Sequence, residues 1–194
     1  MGKTMCRVPA LLLLVLFILT AVAAGSPAAE RPRRWAQPLI LEGVPNLHRV
    51  DANVYRSAQP TAEGMRNLEK MGIRTIVNLR SYNSDRKEIE GTGLREVRVR
   101  MHAWEPEFDE LVQVLQTLTD PRGAPYLVHC QHGADRTGMT VALYRMVIQG
   151  WSREDAVEEM RAGGYGFHEI WTEIVDFLRR VDVERIRRAV NGTA

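Results

Sequence analysis

The chain has 194 residues, 26 basic against 24 acidic, a formal net charge of +2 and the apolar content of an ordinary globular protein. That length builds one domain with a sizeable core and excludes a pair of them. The near-balance of charge excludes nucleic acid as the main partner.

The first 24 residues differ from the rest. Lys3 and Arg7 precede or open an uncharged apolar run over residues 8–19, and Thr20-Ala21-Val22-Ala23-Ala24 follows. A basic start, an apolar middle and small residues at the end predict a signal peptide over residues 1–24, cleaved after Ala23 or Ala24. A retained membrane anchor is the alternative, because the run reaches the short limit for crossing a bilayer. The expected location is therefore periplasmic or secreted, or membrane-anchored if the segment stays, with membrane contact only in that case. Cleavage removes Lys3, Arg7 and Cys6, which leaves the mature chain neutral with Cys130 as its one cysteine. No internal disulfide is then possible. A lone thiol in an oxidising compartment is a liability unless it has a task. An inert buried thiol is the competing reading.

Residues 25–46 are rich in Pro, Ala and Arg without a sustained period, and read as a linker. Regular structure is expected from Leu47. Two short strands flank Asp51-Ala52 as a hairpin. A helix follows through Met65, Leu68 and Met71, with Thr61 as N-cap and Gly72 as its stop. The run Ile73-Arg74-Thr75-Ile76-Val77-Asn78-Leu79 is a buried strand. Residues 81–93 are polar and read as a solvated connection. Residues 94–101 alternate apolar and charged side chains, as a strand near a sheet edge does. A helix uses Leu111, Val112, Val114, Leu115 and Leu118, then Tyr126-Leu127-Val128 forms a strand. The helix carrying Met139, Val141, Leu143, Met146 and Val147 is apolar almost all round and belongs at the centre. Ser152 opens another helix. A last amphipathic helix uses Ile170, Ile174, Val175, Phe177 and Leu178. The domain is expected over residues 47–180, with a C-terminal tail over 181–194. Alternating strands and helices predict an α/β domain with a mostly parallel sheet and the ligand loop at the carboxyl end of a central strand.

That loop is His129-Cys130-Gln131-His132-Gly133-Ala134-Asp135-Arg136-Thr137-Gly138. A strand, a tight turn with a glycine and a helix N-terminus can aim backbone N–H groups at one anion, most simply phosphate. The same field, with an arginine beside it, favours the thiolate of Cys130. The five histidines show no paired ligand spacing on one helix, so no metal is expected.

The ten residues resemble the signature H-C-x-x-G-x-x-R-[S/T]-G of the cysteine-dependent protein tyrosine phosphatases, closest to the compact dual-specificity branch. Tyr55-Arg56-Ser57-Ala58-Gln59-Pro60 and residues 72–80 are similar to the opening elements of its atypical bacterial, plant and fungal members. The resemblance spans about residues 47–178. It implies a three-layer domain and a phosphatase that needs no cofactor and acts on phosphotyrosine in a phosphorylated protein or on a related small or lipid phosphate; a monomer is expected. In it, Cys130 is the nucleophile and Arg136 clamps phosphate together with the amides of Gln131, His132, Gly133, Ala134 and Asp135. Thr137 steadies the leaving thiolate, and His129 supports the loop. The proton donor is expected at Asp109, with Glu105 and Asp135 as alternatives; an N-cap role competes at Asp109. Asp135, with Arg80, Arg86 and Lys87 about the mouth, suggests a phosphoinositide or inositol-phosphate phosphatase as the alternative enzyme. An inactive phosphate-binding module is the non-enzyme alternative.

Overall fold

A computed structural model describes residues 1–2, 31–102 and 106–192. The chain divides into two units, Met1–Glu30 and Arg31–Ala194. The expected signal or anchor segment therefore lies outside the described residues, save its first two. No helix among the described residues is long and apolar enough to cross a membrane.

The second unit runs through β1 (Gln37–Pro38), β2 (His48–Arg49), β3 (Val54–Ser57), α1 (Ala62–Lys70), β4 (Thr75–Asn78), β5 (Arg95–Arg98) and α2 (Phe108–Thr119). A 3-10 turn (Pro121–Gly123), β6 (Tyr126–His129), α3 (Asp135–Val147), α4 (Arg153–Ala162), α5 (Thr172–Arg180) and α6 (Val183–Val190) complete it. The sheet order is β1-β2-β3-β6-β4-β5. Strands β3, β6, β4 and β5 run parallel, and β1 and β2 add antiparallel at the β3 edge.

Strand alternation explains the three layers. Val77 and Val128 point to one face, into a core with α2, α3, α4, α5 and α6. Ile76 and Leu127 point to the other, where they meet Met65 and Leu68 of α1. Helix α3 is buried along nearly its whole length. Local signals set the boundaries: Thr61 accepts from the Gly64 N–H at 3.1 Å, Ser152 from that of Asp155 at 3.1 Å. Asp51 Oδ1 accepts from the N–H groups of Asn53 and Val54 and closes the hairpin.

Three expectations change. Residues 31–46 are not a linker along the described part: Trp35, Ala36 and Val44 are buried and β1 joins the sheet. Two of their three arginines are paired, while Arg33 is exposed. Arg31 donates to the carbonyls of Ala36 (2.9 Å) and Gly163, and Arg34 holds Asp155 at 2.6 Å. Residues 181–192 are not a tail, because Asp182 caps α6 and Ile186 is buried in the main core. Val183, Ile186 and Val190 keep a helical period that the intervening arginines obscure. Ile170 precedes α5 and is exposed, so it is not on that helix's packing face.

Candidate active site

Cys130 follows the last residue of β6, between β3 and β4, and is 2% exposed. Both neighbouring strands are in register with β6, so their carboxyl ends and the loop from Cys130 to α3 meet at one end of the parallel strands. Gly133 has φ +70°, the left-handed region that favours glycine, and a Cβ there would lie 2.5 Å from Ala58 N. Helix α3 has Ala134 as its N-cap, which supplies no side-chain cap. Its first-turn N–H groups are thus not taken by a capping side chain and, with the positive end of the helix dipole, suit an anion. Arg136 lies in that first turn and reaches back over the sheet, 3.4 Å from Leu79 O and 3.5 Å from Met101 O.

Two sets of side chains fix the loop from behind. Arg56, fully buried on β3, donates Nη2–H to Gly133 O at 2.6 Å and stacks over Tyr165 at 3.7 Å. Burial lowers its pKa to about 10, against the pull of Tyr165, Glu159 and Cys130, so it stays a cation near neutral pH. Asn46 Nδ2 bridges His132 O (3.1 Å) and Tyr165 O (2.9 Å), and the Gln59 N–H donates to Gln131 O. The second set centres on Asp85, which is 0% exposed. Its Oδ1 accepts from Arg80 at 2.7 Å and Gln59 at 2.8 Å, and its Oδ2 faces His129 Nε2 at 2.8 Å. The other nitrogen of His129 faces Cys130 O at 3.2 Å. Burial opposes the charge on Asp85, but the hydrogen bond and charge of His129, with Gln59 and Arg80, outweigh it and hold its carboxyl below the usual range.

A cleft of about 430 Å³ opens beside the loop, with Ser81, Tyr82, His102 and Arg136 among its lining residues. The family model described as "DSP-PTPase phosphatase fused to NAD+ Kinase" matches residues 45–175. The chain belongs to the dual-specificity-like family of cysteine phosphatases. It is 35% identical over 188 residues to the dual specificity protein phosphatase TpbA of Pseudomonas aeruginosa (strain UCBPP-PA14), covering 93% of this chain and 85% of that one. A crystal structure of a cysteine-to-serine variant of P. aeruginosa TpbA in complex with pTyr is similar with a TM-score of 0.75 at 32% identity, covering 84% of this chain and 99% of that one. The inositol diphosphatase DSP5 of Arabidopsis thaliana is 27% identical over 162 residues, 78% of this chain and 76% of that one. The fold is thus the three-layer one that the family shares.

The structure places Cys130, Gln131, His132, Gly133, Ala134, Asp135, Arg136 and Thr137 on one strand–loop–helix junction. Thr137 is buried, and its hydroxyl has no hydrogen-bond partner among the described residues. Asp109 is exposed in the first turn of α2 and does not line the cleft. The cap of that helix is Glu107, not Asp109. Glu105 lies outside the described residues. Asp135 lines the cleft and accepts from His168, at 3.1 Å from its backbone N–H and 2.9 Å from Nδ1. Arg80 is not at the mouth, because it is buried against Asn78 and Asp85. Sequence reasoning missed Arg56, Asn46, Asp85 and His168. Only Arg56 carried a signal, as a charge within a short apolar strand. It also passed over one ligand-type cluster: His132, Asp135 and His168 offer one donor atom each, all within 4.8 Å of one another.

Proposed function

We propose that this chain hydrolyses phosphotyrosine and related phosphomonoesters through a phosphocysteine on Cys130. The observation that carries the reading is the junction of β6 and α3, where a thiol, a left-handed glycine, an uncapped helix start and Arg136 converge. The Cys130 thiolate attacks phosphorus in line, the P–O ester bond breaks, and the leaving oxygen takes a proton from a carboxylic acid. Water then attacks the phosphocysteine with its proton passing to that carboxylate, the P–S bond breaks, and thiolate and inorganic phosphate separate. Arg136 binds two equatorial oxygens through its fork, and the amides of residues 131–136 bind the rest. The Thr137 hydroxyl donates to sulfur as it leaves in the second step. The proton donor is one of three carboxylates: Asp109 and Glu105 on the segment that leads through the start of α2, and Asp135 on the cleft wall.

A phosphotyrosine-bearing protein is the substrate class that TpbA, crystallised with pTyr, supports. A second reading, an inositol-phosphate phosphatase, is favoured by the similarity to DSP5 and by three histidines, His102, His132 and His168, that join Arg136 around the cleft. Turnover of a phosphotyrosine peptide beside a panel of inositol phosphates tests both. Cys130→Ser is expected to abolish turnover while still binding phosphate esters, and persistent turnover in that variant overturns the nucleophile. We also infer export, on the order of basic, apolar and small residues over residues 1–24, and propose that the chain is a monomer. N-terminal sequencing of the protein recovered outside the cytoplasm, and its mass in solution, check this.

A further inference from the structure

We propose that His132, Asp135 and His168 form a transition-metal site of the zinc class on the cleft wall, and that a metal ion held there blocks the cleft. The proposed hydrolysis uses none of the side chains of His132 and His168, yet the fold brings both to one carboxylate. Their donor atoms lie within 4.8 Å of one another, and all three residues line the cleft with Arg136. The backbone that carries the two histidines is anchored. Asp135 is buried in the first turn of α3, and His168 is tied to it by its own backbone N–H as well as by Nδ1. His132 has its carbonyl clamped by Asn46.

The imidazoles themselves have room to turn: His132 is exposed and the His168 side chain is 48% exposed, with ring centroids 5.6 Å apart. A tetrahedral ion with bonds of about 2.0–2.1 Å needs its ligand atoms roughly 3.3 Å apart. Rotation about the side-chain bonds of the histidines supplies that closure, while Asp135 Oδ1 keeps its bond to the His168 N–H. Two imidazole nitrogens and one carboxylate suit zinc, nickel or copper rather than magnesium or calcium, which prefer oxygen throughout. The carboxylate offsets the repulsion that Arg136 exerts on a cation. Three protein ligands leave a fourth position open, and an ion held by these three residues would occupy the wall of the cleft that Arg136 also lines.

Calorimetric titration of zinc chloride into the full-length Cys130→Ser protein tests the site with the competing thiolate removed. One ion per chain is expected, with affinity at least tenfold weaker when His168→Ala or His132→Ala is added and circular dichroism shows an intact fold. Cobalt in the Cys130-containing protein should give visible d–d bands without a thiolate charge-transfer band. The site is overturned if zinc binding disappears with Cys130→Ser alone, or is equal with and without the histidines. Blocking of the cleft rests on the phosphatase reading, whereas binding does not. Inhibition by zinc should be competitive with substrate, and its midpoint should rise at least tenfold in His168→Ala. Binding without inhibition overturns the blocking role alone.

Discussion

Replacing Asp85 by Asn removes one charge and almost no volume from beneath the catalytic loop. The carboxylate takes three hydrogen bonds at 2.7–2.8 Å, from Arg80, Gln59 and His129, with no exposure to water. An amide retains one acceptor for Arg80 and Gln59 but turns a donor toward His129 Nε2, which must then present a lone pair. Bonds to a charged group contribute about 1.5–3 kcal/mol each and neutral ones about 0.5–1.5 kcal/mol. Weakening all three therefore costs ~3 kcal/mol, at the low end of what breaking a buried ion pair costs. In a domain of this size that lowers Tm by about 6–12 °C. Urea denaturation of both proteins across pH supplies a second check. The Asp85 carboxyl is held below its unfolded value, so its stabilisation is complete above about pH 4–5 and fades as pH falls through the depressed folded value. The gap between wild type and Asp85→Asn should be widest near neutrality and close on acidification below about pH 4. A gap within ~0.5 kcal/mol at pH 7, or one that stays constant down to pH 2, refutes the role given to Asp85.

Gly133→Ala puts a methyl against the backbone of Ser57 and Ala58 at a left-handed φ; kcat on an aryl phosphate should fall by more than ~100-fold, through displaced loop amides, while the thermal midpoint drops only modestly. The proton donor is read from leaving-group dependence. Among Asp109→Asn, Glu105→Gln and Asp135→Asn, the variant that has lost the donor should be slowed ~10²–10⁴-fold on phenyl phosphate and far less on a nitrophenyl ester, whose oxygen needs no proton. If all three keep the wild-type ratio between the two esters, the donor is none of them.

How far the sequence could be read depends on where each residue's partner lies. Strands β4 and β6 and helix α3 announce themselves through apolar runs, and the loop through its own glycine, arginine and neighbours. The segment Arg31 to Asn46 hides because Pro and Arg look solvated, and what pairs them, such as Asp155 with Arg34, stands 121 residues away. Ala36 likewise donates its N–H to Glu159 at 2.6 Å, an acid already occupied by Arg145. Asp85 sits in a stretch whose polarity reads as exposed. Only the meeting of β6 with the 78–85 segment reveals it as the support of His129. The cluster at Asp135 needs a third ligand 33 residues downstream on a glycine-containing loop, so helical spacing could not show it. The alternation that placed β5 at an edge is local and was legible; the choice of proton donor is not local and was not.

Arg56 shows why a charge that costs so much to bury is kept. Its Nε and Nη1 have no partner among the described residues, and Nη2 spends its bond on the carbonyl of Gly133. An apolar side chain of the same length would keep the stack on Tyr165 and spare the desolvation, so stability alone does not account for an arginine here. A cation under a loop that must hold a dianion does. Acting through the loop, on the order of 10 Å at an effective dielectric of about 20, a unit charge contributes ~1.7 kcal/mol to binding each negative charge. Arg56→Met should therefore weaken inhibition by inorganic phosphate or vanadate by at least tenfold, with its urea midpoint little changed or raised. Arg56→Lys, which keeps the charge and loses the fork, should recover most of that affinity. Equal inhibition in the wild-type and Met proteins would mean that the guanidinium only ties Gly133 in place, and the electrostatic account of the loop would fail with it.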